Sequence, residues 1–216
     1  MNYTELKTQI KDICENEFED VSLDMFTRQA EQKIYNTVQL ANLRKNVTGS
    51  LTANNKYLSA PSDFLSPYSL AVIKANGDYL YLLNKDVNFM REAYPNPTST
   101  GLPKHYGIFG PLSTDVNELS LIIGPTPDAS YSVELHYFYY PESIVDAGTT
   151  WLGDNFDTAL LNGALIEALR YMKGEAADTP VYDKLYAQAI GLLKNFGDGK
   201  QRMDAYRDGQ YRMPVT

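Results

Sequence analysis

The sequence predicts an α+β fold: a four-helix bundle, two helices from each end of the chain, carrying an inserted antiparallel β domain of barrel or sandwich type. Three observations predict it. Apolar residues recur at three-and-four spacing before residue 46 and again after residue 155, the period of a helix with one buried face. Between those regions the period falls to two, and short strand-like runs alternate with turn residues without a long helix. The handover from strand to helix happens once, between Tyr131 and Met172. The expected divisions are residues 1–46 and 142–200 for the bundle, 47–141 for the β domain and 201–216 for an extended tail.

The elements follow in order. A helix from Thr4 or Glu5 to about Asn16, capped by Thr4, carries Leu6, Ile10 and Ile13 on one stripe. Glu15, Glu17, Glu19 and Asp20 make an acidic connector that lacks the spacing of a calcium loop. A second helix, from Ser22 or Asp24 to about Lys45, aligns Phe26, Ala30, Ile34, Val38 and Ala41. Strands at Val47–Leu51 and Tyr57–Ala60 come next, then Ser69–Ala75 and Asp78–Leu83 around Asn76-Gly77. That dipeptide signals a type I′ hairpin, whose two central residues need positive φ. A short helix fits Asp86–Tyr94, and the proline-rich stretch 95–103 reads as a loop.

Strands resume at His105–Phe109, Glu118–Ile123 and Tyr131–Tyr140. In the last of these Val133, Leu135, Tyr137 and Tyr139 share a face, and Pro141 ends it for want of an N–H. The central helix takes Asp154 or Asn155 as N-cap and Asp157 in its first turn, with Phe156, Leu160, Ala164, Leu165, Ala168, Leu169 and Met172 as its stripe. Gly174 suits a C′ position, and Thr179-Pro180 opens the fourth helix. There Tyr182, Tyr186, Ile190 and Leu193 form one line with Leu185, Ala189 and Phe196 beside it, until Gly197 and Gly199 end or bend it.

Composition narrows the function. A chain of 216 residues, 44% hydrophobic, can bury roughly 70% of its unfolded surface. Its one cysteine, Cys14, excludes an internal disulfide and a multi-cysteine zinc site. No apolar run reaches the ~18 residues of a membrane span, and the N-terminus is too polar for a signal peptide, so the sequon Asn46-Val-Thr48 is expected to stay unmodified. The net charge of −8 argues against a tight grip on a phosphate backbone. Seventeen tyrosines suit half-buried strands and subunit interfaces alike.

No catalytic constellation is visible, and no enzyme activity, cofactor or metal is expected. Nucleophile elbows, phosphate loops and HExxH are missing. His105 and His136 sit in strand contexts and read as structural or surface residues, and a helix N-terminus accounts for Asp154 and Asp157. Glu167, in an alanine- and leucine-rich helix, is read as facing water beside Arg170 and Glu175, with a pairing across a subunit contact as the other reading. The tail interleaves basic and aromatic residues as single-strand nucleic-acid binders do, but Asp204 and Asp208 offset its cations. It reads as a segment that orders on a protein partner.

Three blocks together resemble the head-to-tail adaptor (connector, or tail-tubular) proteins of tailed bacteriophages. The first is Phe26-Thr-Arg-Gln-Ala-Glu-Gln-Lys-Ile34 followed by Tyr57-Leu-Ser-Ala-Pro-Ser-Asp-Phe-Leu65. The second joins Leu102-Pro-Lys-His-Tyr-Gly-Ile-Phe-Gly110, Leu121-Ile-Ile-Gly-Pro-Thr-Pro-Asp128 and Val133-Glu-Leu-His-Tyr-Phe-Tyr-Tyr-Pro141. The third is Trp151-Leu with Asp157, Leu160, Ala164, Leu165, Glu167, Ala168 and Tyr171, then Tyr182 and Tyr186. The departure is Ala60-Pro-Ser, where family members often have an apolar residue before the proline.

The resemblance implies a structural virion protein of the neck or tail, assembled in the host cytoplasm, that catalyses nothing. Such proteins form a twelve-subunit ring beneath the portal, joined to a tail nozzle or another tail protein. The ring continues the channel through which genomic DNA is ejected, without sequence-specific binding or a membrane. On that reading Arg202, Tyr206, Arg207, Tyr211, Arg212 and Met213 of the tail are the candidate portal-binding residues. The competing expectation is a binding module whose tyrosine-rich β domain takes a glycan or a peptide.

Overall fold

The computed structural model describes residues 1–112, 115–172 and 179–201. Its helices are α1 (Tyr3–Cys14), α2 (Asp20–Thr37), α3 (Val87–Ala93), α4 (Ile144–Ala147), α5 (Trp151–Asn155), α6 (Asp157–Met172) and α7 (Thr179–Gln201). The strands are β1 (Arg44–Leu51), β2 (Tyr57–Ser59), β3 (Ser66–Ile73), β4 (Tyr79–Tyr81), β5 (Leu83–Asn84), β6 (Thr100–Gly101), β7 (His105–Leu112), β8 (Asp115–Gly124), β9 (Thr126–Pro127) and β10 (Tyr131–Phe138). The fold is α+β. The chain divides into a helical unit, Met1–Leu43 with Pro141–Thr216, and a β unit, Arg44–Tyr140.

In the helical unit α1 begins earlier than expected because Asn2, not Thr4, caps it. The Asn2 side chain accepts the Glu5 N–H at 2.9 Å and the Glu5 carboxylate accepts the Asn2 N–H at 2.9 Å, a reciprocal capping box. Tyr3, Leu6 and Ile10 form its buried face, and Ile13 is exposed. α2 stops at Thr37, well short of Lys45, where Val38 turns extended at φ −124°. Leaving the helix lets Val38, Leu40 and Leu43 all be buried, while Ala41 is exposed.

The segment before α6 also differs from expectation. Thr150 caps α5 by accepting the Gly153 N–H at 3.3 Å, so Asp154 and Asn155 lie inside a short helix of their own. α6 then packs against α1, α2 and α7, which makes it the buried centre of the unit. With α4 and α5 added, the unit departs from a plain four-helix bundle. α7 runs straight through Gly197 instead of ending there. A Cβ at that position would lie 2.6 Å from the Gln39 carbonyl oxygen, so the glycine permits close approach of two backbones.

The β unit holds two four-stranded sheets, ordered β1-β10-β3-β4 and β2-β8-β7-β5, and a small β6-β9 pair. Leu51, Leu70, Val72, Val133, Leu135 and Tyr137 from the first sheet share one buried cluster with Tyr106, Leu121 and Ile123 from the second. Among the described residues no sheet closes into a barrel. Leu82, buried between β4 and β5, marks where the chain passes from one sheet to the other: its N–H bonds Leu70 and the next bonds Lys104. The sheets are not wholly antiparallel, since β5 runs parallel to β7 and β6 to β9. Parallel neighbours need a crossover, and α3 with the following loop supplies the first one.

The hairpin between β3 and β4 forms at the expected place with another turn. Only Gly77 has positive φ, at 88°, and its N–H bonds the Lys74 carbonyl at 2.9 Å. Ala75-Asn76-Gly77 is thus the three-residue loop with a left-handed glycine last.

Candidate functional site

Of the residues singled out in the sequence, Arg202, Tyr206, Arg207, Tyr211, Arg212 and Met213 lie outside the described residues. Among the described residues no group of three or more His, Cys, Asp or Glu side chains is placed to hold a metal ion. His105 Nδ1 lies 2.7 Å from the Tyr94 hydroxyl and its ring packs on Phe89, and desolvation with Lys85 and Lys104 nearby pushes its pKa down. His136 packs on Tyr68 at 5.0 Å between ring centroids.

Glu167 does not face water. It is 5% exposed, because α6 has neighbours on its polar side too. Lys33 of α2 donates to one carboxylate oxygen and Arg170 to the other at 3.0 Å, so Glu167 is satisfied within its own unit. Glu31 is a second buried carboxylate, which the sequence reading passed over. It accepts the Ile144 N–H at 2.9 Å, tying α2 to the start of α4. Desolvation raises its pKa against the opposing pull of that bond and of Ser143. At the surface Arg28 makes a bidentate pair with Asp146, at 2.9 and 2.7 Å.

What remains for function is surface, and each unit presents one. On α7, Tyr182, Tyr186, Ala189, Ile190 and Leu193 turn inward, to half-buried or buried positions. Val181, Leu185, Leu192 and Phe196 lie at spacings of four, seven and four and are exposed, Leu192 to 67%. Leu185 and Phe196, expected in the core, therefore belong to a second apolar line. Phe196 meets Trp151 and Phe156 in a three-ring cluster with centroids 5.4 to 5.9 Å apart. A groove of about 390 Å³ runs beside it, lined by Phe156, Asp157, Leu185, Gln188 and Leu192 among others. An apolar line with one amide in it suits a helix or loop from another protein. The signal was in the sequence: α7 carries more apolar residues than one buried stripe can use.

In the β unit the first sheet turns Val47, Val133, Leu135, Leu70 and Val72 inward and a second set of residues outward. On the outer face Tyr79 and Tyr81 stack at 6.4 Å, and both are exposed. Tyr68 contacts His136 and Phe138, and the Arg44 guanidinium lies 4.8 Å from the centre of the Tyr68 ring. Tyr79 also donates to Glu134 at 3.4 Å. Aromatic rings with a cation and a carboxylate on one open face are a recognition surface in composition.

Neither surface converges ionisable groups on a cleft. No curated protein matches the chain. The family model described as SU10 adaptor protein matches residues 1–214, nearly the whole length. The earlier resemblance to phage adaptors agrees with that match, and the chain belongs to the SU10 adaptor protein family, a family of phage head–tail adaptors.

Proposed function

We propose that the chain assembles into a ring in the virion neck, of twelve copies as the resemblance implies. The ring sits beneath the portal, joins it to the tail nozzle or another tail protein, and continues the channel for DNA. The observation that carries the reading is the exposed apolar line of α7 with its Trp151–Phe156–Phe196 cluster, on a unit whose buried carboxylates Glu31 and Glu167 already have donors. A surface of that kind on a structural adaptor is what a subunit contact needs. The net charge of −8 suits a conduit that repels DNA. Residues 201–216 dock on the portal through Arg202, Tyr206, Arg207, Tyr211, Arg212 and Met213, and the free chain is mainly monomeric until the portal templates the ring.

Native mass spectrometry of the full chain with its portal tests this directly. The expected result is a closed ring on the portal, lost on deletion of residues 201–216 although the shortened chain still folds. Undiminished binding by the deletion refutes the role of the tail, and a stable ring without portal, seen by light scattering, refutes the template step.

A second reading has one observation in its favour. Tyr68, Tyr79 and Tyr81 lie exposed on one sheet face, as a glycan- or peptide-binding module requires. Saturable glycan binding by the monomer, abolished by Tyr79→Ala with Tyr81→Ala, would support it. Its absence on a broad glycan panel leaves the adaptor reading alone.

A further inference from the structure

The first sheet of the β unit ends in two open edges, and they complement each other. β1 pairs only with β10, among the described residues, over eight consecutive positions from Arg44↔Phe138 to Leu51↔Tyr131 with no bulge. It contains no proline, and Asn46, Thr48, Gly49 and Ser50 are exposed. Past Arg44 and Lys45 at its start, a regular edge of this length leaves a row of N–H and C=O groups to solvent, and edges of this kind invite pairing with another strand. β4, the three-residue strand at the opposite edge, pairs among the described residues only with β3.

Direction and face then fit together. Each step from β1 through β10 and β3 to β4 is antiparallel, so β1 and β4 run in opposite senses. The β4 edge of a second copy, laid beside β1, continues the sheet as an antiparallel pair. Register links Thr48 through Glu134 and Ala71 to Tyr81, and Ser50 through Ser132 and Ile73 to Tyr79, so these side chains share the outer face. One edge presents two stacked tyrosines and the other presents small polar side chains over which rings can lie.

We propose that β4 of one copy pairs with β1 of the next, so that this sheet runs on from subunit to subunit. The contact is head-to-tail, the type that generates rings when the rotation closes. The proposal rests on the ring reading above, and it adds a second contact between neighbouring copies in addition to the α7 line.

The test is disulfide trapping in the full chain assembled on portal, in a Cys14→Ser background. Cysteine replaces Asn46, Thr48 or Ser50 together with Tyr79 or Tyr81. Within one chain β1 and β4 are three strand spacings apart, about 14 Å, too far for an internal disulfide. The in-register pair is expected to give a ladder of covalent multimers beyond the dimer on non-reducing gels. Normal rings with no ladder from any pair overturn the proposal and leave the ring reading standing. Dimers from Thr48→Cys alone would mean a two-fold β1–β1 contact, and trapping of Thr48→Cys by a cysteine placed at Tyr206 would mean that the tail covers the edge; either overturns it. No assembly of the unmodified chain on portal overturns both readings. As a second check, Thr48→Lys with Ser50→Lys should melt as the parent does and lose ring assembly by about tenfold or more. Unchanged assembly of that variant counts against the proposal.

Discussion

The two units solve the same problem, a stable core beneath a sticky surface, with different chemistry. The helical unit buries Glu31 and Glu167 inside its helix contacts and satisfies each with a specific donor. The buried cluster of the β unit is aliphatic and aromatic, and its polar reach is the Tyr137 hydroxyl donating to Asp63 at 2.7 Å. A packing that parted either carboxylate from its donors would leave a buried polar group unsatisfied, which disfavours other pairings of these helix faces. Sheet register needs no such device, since a one-residue slip would turn Val133, Leu135 and Tyr137 to solvent.

The largest expected effect comes from breaking the helical core. Phe26→Ala removes a 1%-exposed ring that contacts Phe18 and Tyr171, and should destabilise by about 3–5 kcal/mol in denaturant titration. A loss below about 1 kcal/mol would mean that the α2–α6 contact carries little of the unit's stability. Next is Gly197→Ala. Its new methyl would meet the Gln39 backbone oxygen and Leu40, for a loss of about 1–3 kcal/mol where an exposed helical glycine would gain.

Acid pH should separate the units by sign. Desolvation raises the folded pKa of Glu31, so its stabilising contribution is complete below about pH 4.3 and is lost as pH rises through the folded value. Asp63 goes the other way. Desolvation pushes its pKa up, but the hydrogen bonds from Lys45 at 2.8 Å and from Tyr137 outweigh it, and the net direction is down. Its contribution is present above the unfolded value of about 3.9 and is lost as pH falls through the folded one. Melting curves across acid pH should therefore lose a falling component in Glu31→Gln and a rising component in Asp63→Asn. The same slope change in both variants would erase the contrast. Smallest of all, Tyr79→Ser with Tyr81→Ser should leave stability within about 0.5 kcal/mol per site, because both rings are exposed.

Much of this was legible in the sequence, for reasons that differ by element. Period-two alternation identified the strand expected at Tyr131–Tyr140, which forms over Tyr131–Phe138, and three-and-four spacing identified α2 and α6, because burial acts directly on those periods. Helix ends were less legible. Asn2 competes with Thr4 as cap, and the early end of α2 depends on where Val38 and Leu43 find a core, which no local pattern records. The placement of Glu167 could not be read either, since the helix opposite supplies Lys33 from 134 residues away. Leu185 and Phe196 fall beside the core stripe in the sequence yet belong to the exposed line of α7, because periodicity reports which residues avoid water and not which surface covers them.

The central claim is that this protein joins others within the phage particle. Quantitative mass spectrometry of purified virions tests it most directly. The account predicts the chain in intact particles, in a fixed ratio to the portal and near one to one. Its absence from particles, or a ratio far below the portal, would contradict it.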